Sequence, residues 1–303
     1  MNTKQLTYVL TLAQCGSFSK AAEELNISQP SLSQYIKKIE EETGTVLFER
    51  AGGYVRLTDS GRVYADTGRQ ILELEKEMHS RFSDISDNKG GTLVIGISAH
   101  RSVCLMPSIV ARFKESYTGI CVVLKEYPRD ELIERSEHGE FDLCITTPPV
   151  SKKAFDVLAS FEEEILLAVP QESDMCRRFI SAAPDGPADL TLLNNSDFVM
   201  LNKEHPMQKE FRDICDTYGL TLNKTVECTS LEALISMVNE GMGAALVPAC
   251  LKKLATEKTR FFRIAQEIPK RDIVLIRKQC QYVPDKISDM SKIITDMLGE
   301  FFS

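Results

Sequence analysis

The side chains best suited to chemistry with a partner lie between Ser28 and Lys37. Ser28, Gln29, Pro30, Ser31, Ser33, Gln34 and Lys37 offer small hydroxyls, two amides and one cation. Leu32, Ile36 and Ile39 recur at helical spacing and form a buried stripe. Pro30, Ser33, Gln34 and Lys37 then fall on the opposite face, with Gln29 and Ser31 at the leading turn. No bulky acid enters that face before Glu40. Such a face suits the major groove of DNA. An amide pairs with adenine, a hydroxyl meets either base type, and a lysine meets guanine or phosphate. Spacing alone fits an ordinary helical hairpin equally well, so the flanking elements carry the distinction.

A preceding helix is read from Phe18, Ala22 and Leu25, one apolar stripe, with Ser17 at its N-cap. Asn26-Ile27 breaks the pattern, and Ser28 caps the next helix with Pro30 in its first turn, where a missing N–H costs nothing. After Glu42, Val46–Arg50, the glycine turn Ala51-Gly52-Gly53 and Tyr54–Thr58 read as strand, turn, strand. That wing places Arg50 and Arg56, with Thr58 behind them, near the phosphate backbone or an adjacent minor groove.

With helix, turn, helix and wing in place, the chain resembles the LysR-type transcriptional regulators. Gly16 to Gln34 is close to that family's signature. Ile36, Ile39-Glu40, Gly44, Leu47-Phe48, Arg50, Leu57-Thr58 and Gly61 follow at the family's spacing. The resemblance covers essentially the whole chain. It implies a regulator that binds promoter DNA as a dimer or tetramer and senses a small-molecule effector.

The 303 residues accommodate a small module plus one or two α/β domains. The formal net charge of −8 excludes a globally basic nucleic-acid binder. Up to Thr58 the charges cancel: Lys4, Lys20, Lys37, Lys38, Arg50 and Arg56 against Glu23, Glu24, Glu40, Glu41, Glu42 and Glu49. Placement therefore matters more than bulk charge, and affinity is expected to come from oligomerisation. The chain starts Met1-Asn2-Thr3-Lys4 and goes straight into a helix-like pattern, and no apolar run is long enough to span a bilayer. A cytoplasmic location, with no membrane partner, is expected. The nine cysteines include no C-x-x-C pair, so neither metal nor cofactor is expected.

Residues 60–88 read as one long helix. Tyr64, Ile71, Met78 and Ile85 recur every seven residues, broadened by Leu74 and Phe82. A heptad stripe on a polar helix fits pairing between chains or packing on its own domain, and the resemblance favours a dimerising linker helix. The polar stretch Asp87–Gly91 marks a boundary. From Thr92, strands and helices alternate, which predicts an α/β domain with a largely parallel sheet. The organisation read is a winged helix-turn-helix over 1–59, a linker helix over 60–88 and an effector domain over 92–303. By the resemblance, that domain has two lobes, like periplasmic binding proteins. Lobe I spans about 92–161 and 268–303, lobe II about 162–267, with crossovers near Glu162-Glu163-Glu164 and Gln266-Glu267.

Ligands gather at the carboxyl ends of strands in such sheets, where helix N-termini point. Three loops qualify. Ser98, His100, Arg101 and Ser102 follow the strand Leu93–Ile97, and their arginine and hydroxyls lean towards an anionic ligand. Thr146 and Thr147 follow Phe141–Ile145. Cys228 and Thr229 precede a helix, where Thr229 and Glu232 have capping-box spacing, and Leu201 with Asn202 forms the facing wall. Plain capping explains Ser98, Ser102 and Thr229 equally well.

Other chemistries fare worse. Gly96-Ile97-Ser98-Ala99-His100 has the position of a nucleophile elbow but lacks its closing glycine. There is no Walker loop and no G-x-G-x-x-G, and Gly241-Met242-Gly243 lies between helix and strand, the wrong order. No catalytic residues are assigned. Two alternatives stay open: redox sensing through Cys215 or Cys228 on the same fold, and a cytosolic solute-binding protein.

Overall fold

The computed structural model describes residues 2–51, 54–85, 90–184, 186–268, 270–279 and 282–302. The chain divides into two units, Met1–Asn88 and Lys89–Ser303.

The first unit runs α1 (Thr3–Cys15), α2 (Phe18–Glu24), α3 (Gln29–Thr43), β1 (Phe48–Ala51), β2 (Tyr54–Leu57) and α4 (Asp59–Ile85). Val9 and Leu12 of α1, Ala21 and Ala22 of α2, and Leu32, Ile36 and Ile39 of α3 form one buried cluster with Leu47. The apolar spacing read from the sequence is thus the packing face. Ser28 caps α3 by accepting from the Ser31 N–H at 3.2 Å. Ser17 takes the N-cap position of α2 but makes no side-chain cap bond. Asn26, at φ +54°, makes the turn between α2 and α3. The wing closes back on the helices through the Val55 N–H, which donates to the Gly16 carbonyl at 3.0 Å. Gly61 lets α4 pass the loop before the wing: a Cβ there would sit 2.0 Å from the Leu47 carbonyl oxygen.

The second unit begins with β3 (Gly91–Ile97), α5 (Ala99–Ser116), β4 (Ile120–Glu126), α6 (Arg129–Glu137), β5 (Leu143–Thr146) and β6 (Phe155–Glu163). It crosses over into β7 (Ile165–Pro170), α7 (Asp174–Ala182), β8 (Asp197–Leu201), α8 (Pro206–Thr217), β9 (Asn223–Cys228), α9 (Leu231–Asn239), β10 (Ala245–Pro248) and β11 (Thr259–Phe262). It returns through β12 (Arg271–Lys278) and ends in α10 (Asp285–Phe302). The first sheet has the order β4-β3-β5-β12-β6. In the second lobe β7 lies between β10 and β11, and β8 pairs with β9. A bridge between Phe198 and Ala244 links these two groups.

The sheets are mixed rather than largely parallel. β3 runs parallel to β4 and β5, and β8 to β9. β12 is antiparallel to both β5 and β6, and β10 and β11 are antiparallel to β7. A single residue, Glu164, joins β6 of the first sheet to β7 of the second. β6 and α7 had no counterpart in the sequence reading. Gly243 (φ +148°) allows the bridge before β10, since a Cβ there would meet the Asp197 carbonyl oxygen at 2.7 Å.

Candidate nucleic-acid interface and effector cleft

Ser28, Gln29, Pro30, Ser31, Gln34 and Lys37 are exposed on α3, and Ser33 is half-buried. Ser28 and Ser31 share a hydrogen bond, Oγ to Oγ, at 2.7 Å. Lys37 Nζ stands 3.8 Å from Glu41, with 78% of its side chain exposed. So loose a pair leaves the lysine available to an anion. The inner side of α3 is pinned. Tyr35 packs edge-on against Tyr8 at 5.0 Å, with Lys4 over both rings. Gln5 Nε2 donates to Glu42 at 2.8 Å. Glu40 Oε1 accepts from the N–H groups of Leu47 and Phe48 at 2.7 and 3.2 Å, so the first acid after the polar face is turned onto the wing.

In the wing, Glu49 is paired with Arg56 and Arg50 with Val55. Arg56 is exposed; the side chain of Arg50 lies outside the described residues. Thr58 is occupied within the protein. Its hydroxyl donates to the Val46 carbonyl at 2.7 Å and accepts from the Gly61 N–H at 2.9 Å, which makes it the start of α4. On α4 Leu74, Met78 and Phe82 are exposed by 65, 45 and 59%. Ile85 and the stretch 86–89, part of the linker and boundary reading, have side chains outside the described residues.

In the second unit, α5 begins at Ala99, directly after Ser98. His100, Arg101 and Ser102 therefore occupy its first turn rather than a loop. Arg101 is committed: Nη2 donates to Glu163 Oε2 at 2.8 Å, with the two side chains 3 and 0% exposed. Its charge is matched inside the protein, which corrects the expectation of a free cation for an anionic ligand. Ser98 takes the N-cap position without capping. Several buried polar atoms here have no hydrogen-bond partner: Ser98 Oγ, His100 Nε2, Arg101 Nε, Thr146 Oγ1 and Glu163 Oε1. Ser98 and Thr146 come together because β3 and β5 are parallel neighbours, with Gly96 opposite Cys144. Thr147 offers its carbonyl to Arg129 Nε at 3.1 Å.

Lobe II contributes the ends of β8 and β9. Leu201 is opposite Cys228, and the Asn202 N–H donates to the Cys228 carbonyl at 2.8 Å. Asn202 Oδ1 accepts from the His205 N–H at 3.0 Å and so shapes the turn into α8. Thr229 is exposed and does not cap α9; Ser230 does, accepting from the Ala233 N–H at 3.2 Å. The capping-box reading was one residue early, and Glu232 is left with a buried, unpartnered Oε1.

The two lobes meet electrostatically through residues that the sequence reading had not placed in the site. Arg271, first residue of β12, pairs with Glu210 of α8 at 3.2 Å and donates to Met207 Sδ at 3.2 Å. Burial, then Arg101, Arg271 and His205, holds His100 well below the usual histidine range. Burial and Arg271 also lower His205, against the opposing charge of Glu232. Both imidazoles are thus biased to the neutral form. Glu163, His205 and Arg271 had one legible signal between them, the acid run at the first crossover. Elsewhere, burial raises the thiols of Cys215 and Cys228. Cys104 of α5 and Cys250 share a thiol–thiol hydrogen bond, which lowers Cys104 and raises Cys250.

A family described as "LysR substrate binding domain" matches residues 86–299, and "Bacterial regulatory helix-turn-helix protein, lysR family" matches residues 3–62. The chain belongs to the LysR family. It is a DNA-binding transcriptional regulator with an effector-binding domain. A "Hydrogen peroxide-inducible genes activator" of Haemophilus influenzae is 30% identical, covering 98% of this chain and 100% of that one. Two solved structures share the fold. A full-length OxyR variant from Pseudomonas aeruginosa has 22% identity, coverage of 98 and 94% and a TM-score of 0.62. Full-length CbnR complexed with its target DNA has 20% identity, coverage of 98 and 100% and a TM-score of 0.61. Among the described residues of this LysR-type chain, no helix is long and apolar enough to cross a membrane.

Proposed function

We propose that this regulator reads its operator with the leading face of α3. Gln29, Ser33 and Gln34 contact base edges there, and Ser28, Pro30 and Ser31 lie against the entering strand. Lys37, Arg50 and Arg56 supply phosphate contacts. The observation that carries this reading is the exposed face of α3, free of acids before Glu40 and held by the Ser28 cap and by Glu40 turned away onto the wing. Two chains pair through the exposed stripe of α4 and present two such helices to a pseudo-palindromic site. Residues 1–59 are the reading module, 60–88 the pairing helix and 92–303 the sensor.

The sensor binds a small polar effector between its lobes. Ser98, His100, Ser102, Thr146 and Thr147 line it from lobe I, and Asn202, Cys228 and Thr229 from lobe II. Arg101 acts through Glu163. With Arg101 paired and both imidazoles biased to neutral, the unmet groups include acceptors as well as hydroxyls. A ligand with both donors and acceptors meets them better than a bare anion. Effector binding shifts lobe closure only as far as it prefers one state. The role proposed is cytoplasmic and regulatory rather than catalytic, in line with the family.

A second reading, oxidant sensing, draws on the relative's name and on one local feature, the buried contact between Cys104 and Cys250. Cys215 and Cys228 are poor candidates, since raised thiols hold little reactive thiolate. Operator affinity unchanged after peroxide treatment removes this reading. The main reading is tested by gel retardation of the full-length protein on the DNA upstream of its own coding region, beside a scrambled duplex. Selective retardation supports it; equal retardation of both duplexes contradicts it.

A further inference from the structure

A pocket of about 160 Å³ lies within lobe II, between α8 and the strands β8 and β9. Phe198, Leu201, Phe211, Leu222 and Leu246 make most of its wall. Leu201, expected to face the inter-lobe cleft, lines this pocket instead. Gln208 is the buried polar side chain of the lining. Gln208 is 7% exposed, and its Oε1 is sealed from solvent without a hydrogen-bond partner. An unmet buried acceptor costs about 1–3 kcal/mol, which a donating ligand removes. The mouth is polar, with Lys203 and Arg212 at its edge and Lys224 bonded to Glu227 at 2.6 Å.

We propose that this pocket is a second ligand site, for a small uncharged ring or branched hydrocarbon that carries one hydroxyl or N–H donor. Size sets the upper bound, since an apolar cavity of about 150 Å³ takes up benzene. The part of the ligand that meets the apolar wall is uncharged, because an unpaired ion is costly to bury there. The single unmet acceptor selects a ligand with a donor over its bare hydrocarbon analogue. The site also has a route to the cleft. α8 carries Met207 and Glu210, both held by Arg271 at the start of β12.

Phenol and toluene, titrated calorimetrically into the full-length protein, make the test. The expected result is one saturable phenol site per chain, with phenol favoured over toluene by about tenfold, one net hydrogen bond. Gln208→Leu brings that ratio close to one. Cys215→Phe, which fills the pocket from α8, abolishes binding of both. Operator retardation by each variant confirms that it is folded. Phenol binding that survives Cys215→Phe places the ligand elsewhere and overturns the proposal. So does a phenol-to-toluene ratio unchanged in Gln208→Leu, or no saturable phenol binding to the parent protein.

Discussion

Arg101 and Glu163 form an ion pair of 2.8 Å with both side chains withdrawn from water. One partner sits in the first turn of α5 and the other ends β6, one residue before the chain crosses into lobe II. The pair ties the start of the cleft helix to the first crossover.

Removing one partner leaves an uncompensated buried charge. Arg101→Ala is expected to lower stability by about 3–5 kcal/mol, more than a surface substitution does. Replacing both, as Arg101→Met with Glu163→Leu, recovers most of that loss. Urea unfolding of the single and double variants checks it, and a double variant no more stable than Arg101→Ala counts against the pairing as the cause.

The imidazole shifts set a pH dependence. His100 has a folded pKa held well below the ordinary 6.5, so below about pH 6.5 the unfolded chain binds more protons than the folded one. Stability is therefore full above that pH and falls as pH drops through it, by up to about 1.4 kcal/mol per pH unit for each such histidine. His205 has the same sign. Thermal melting between pH 7.5 and 5.5 should show the fall, and His100→Gln should flatten it.

Gly61 is a contact position rather than a flexible one. Gly61→Ala pushes a methyl group into the Leu47 carbonyl and should cost about 1–3 kcal/mol or more within the first unit. Operator retardation should weaken while the second unit keeps its amide protection in hydrogen exchange.

The α4 stripe should be an interface. Leu74→Asp with Phe82→Asp places two charges on residues that are now exposed and apolar. Sedimentation should show a lower mass, and operator affinity should fall by orders of magnitude through lost bivalency. An unchanged mass means the chains pair elsewhere.

The reading module was legible because its signals are local. Ser28, Pro30 and the Leu32–Ile36–Ile39 stripe define a capped amphipathic helix without reference to anything distant. The cleft was half legible. Ser98 and Thr146 follow from strand ends, which periodicity locates. Arg101's partner does not, since Glu163 is 62 residues away and lies in a strand with no clear alternation. Thr58 and Thr229 show the limit of motif reading: a hydroxyl beside a helix start serves one of several N–H groups, and only coordinates say which. The antiparallel course of β12 was hidden for a similar reason, since strand direction depends on which lobe the chain has just left.

The central claim is that α3 reads sequence while the basic side chains read charge. Its most direct test is a salt titration of operator and random duplex binding by the parent protein, Gln34→Ala and Lys37→Ala. Gln34→Ala should lose about 1–3 kcal/mol on the operator alone, with its salt slope unchanged. Lys37→Ala should weaken both duplexes and lower the salt slope by about one. Gln34→Ala that binds operator as the parent does, or that loses operator and random duplex equally, contradicts it.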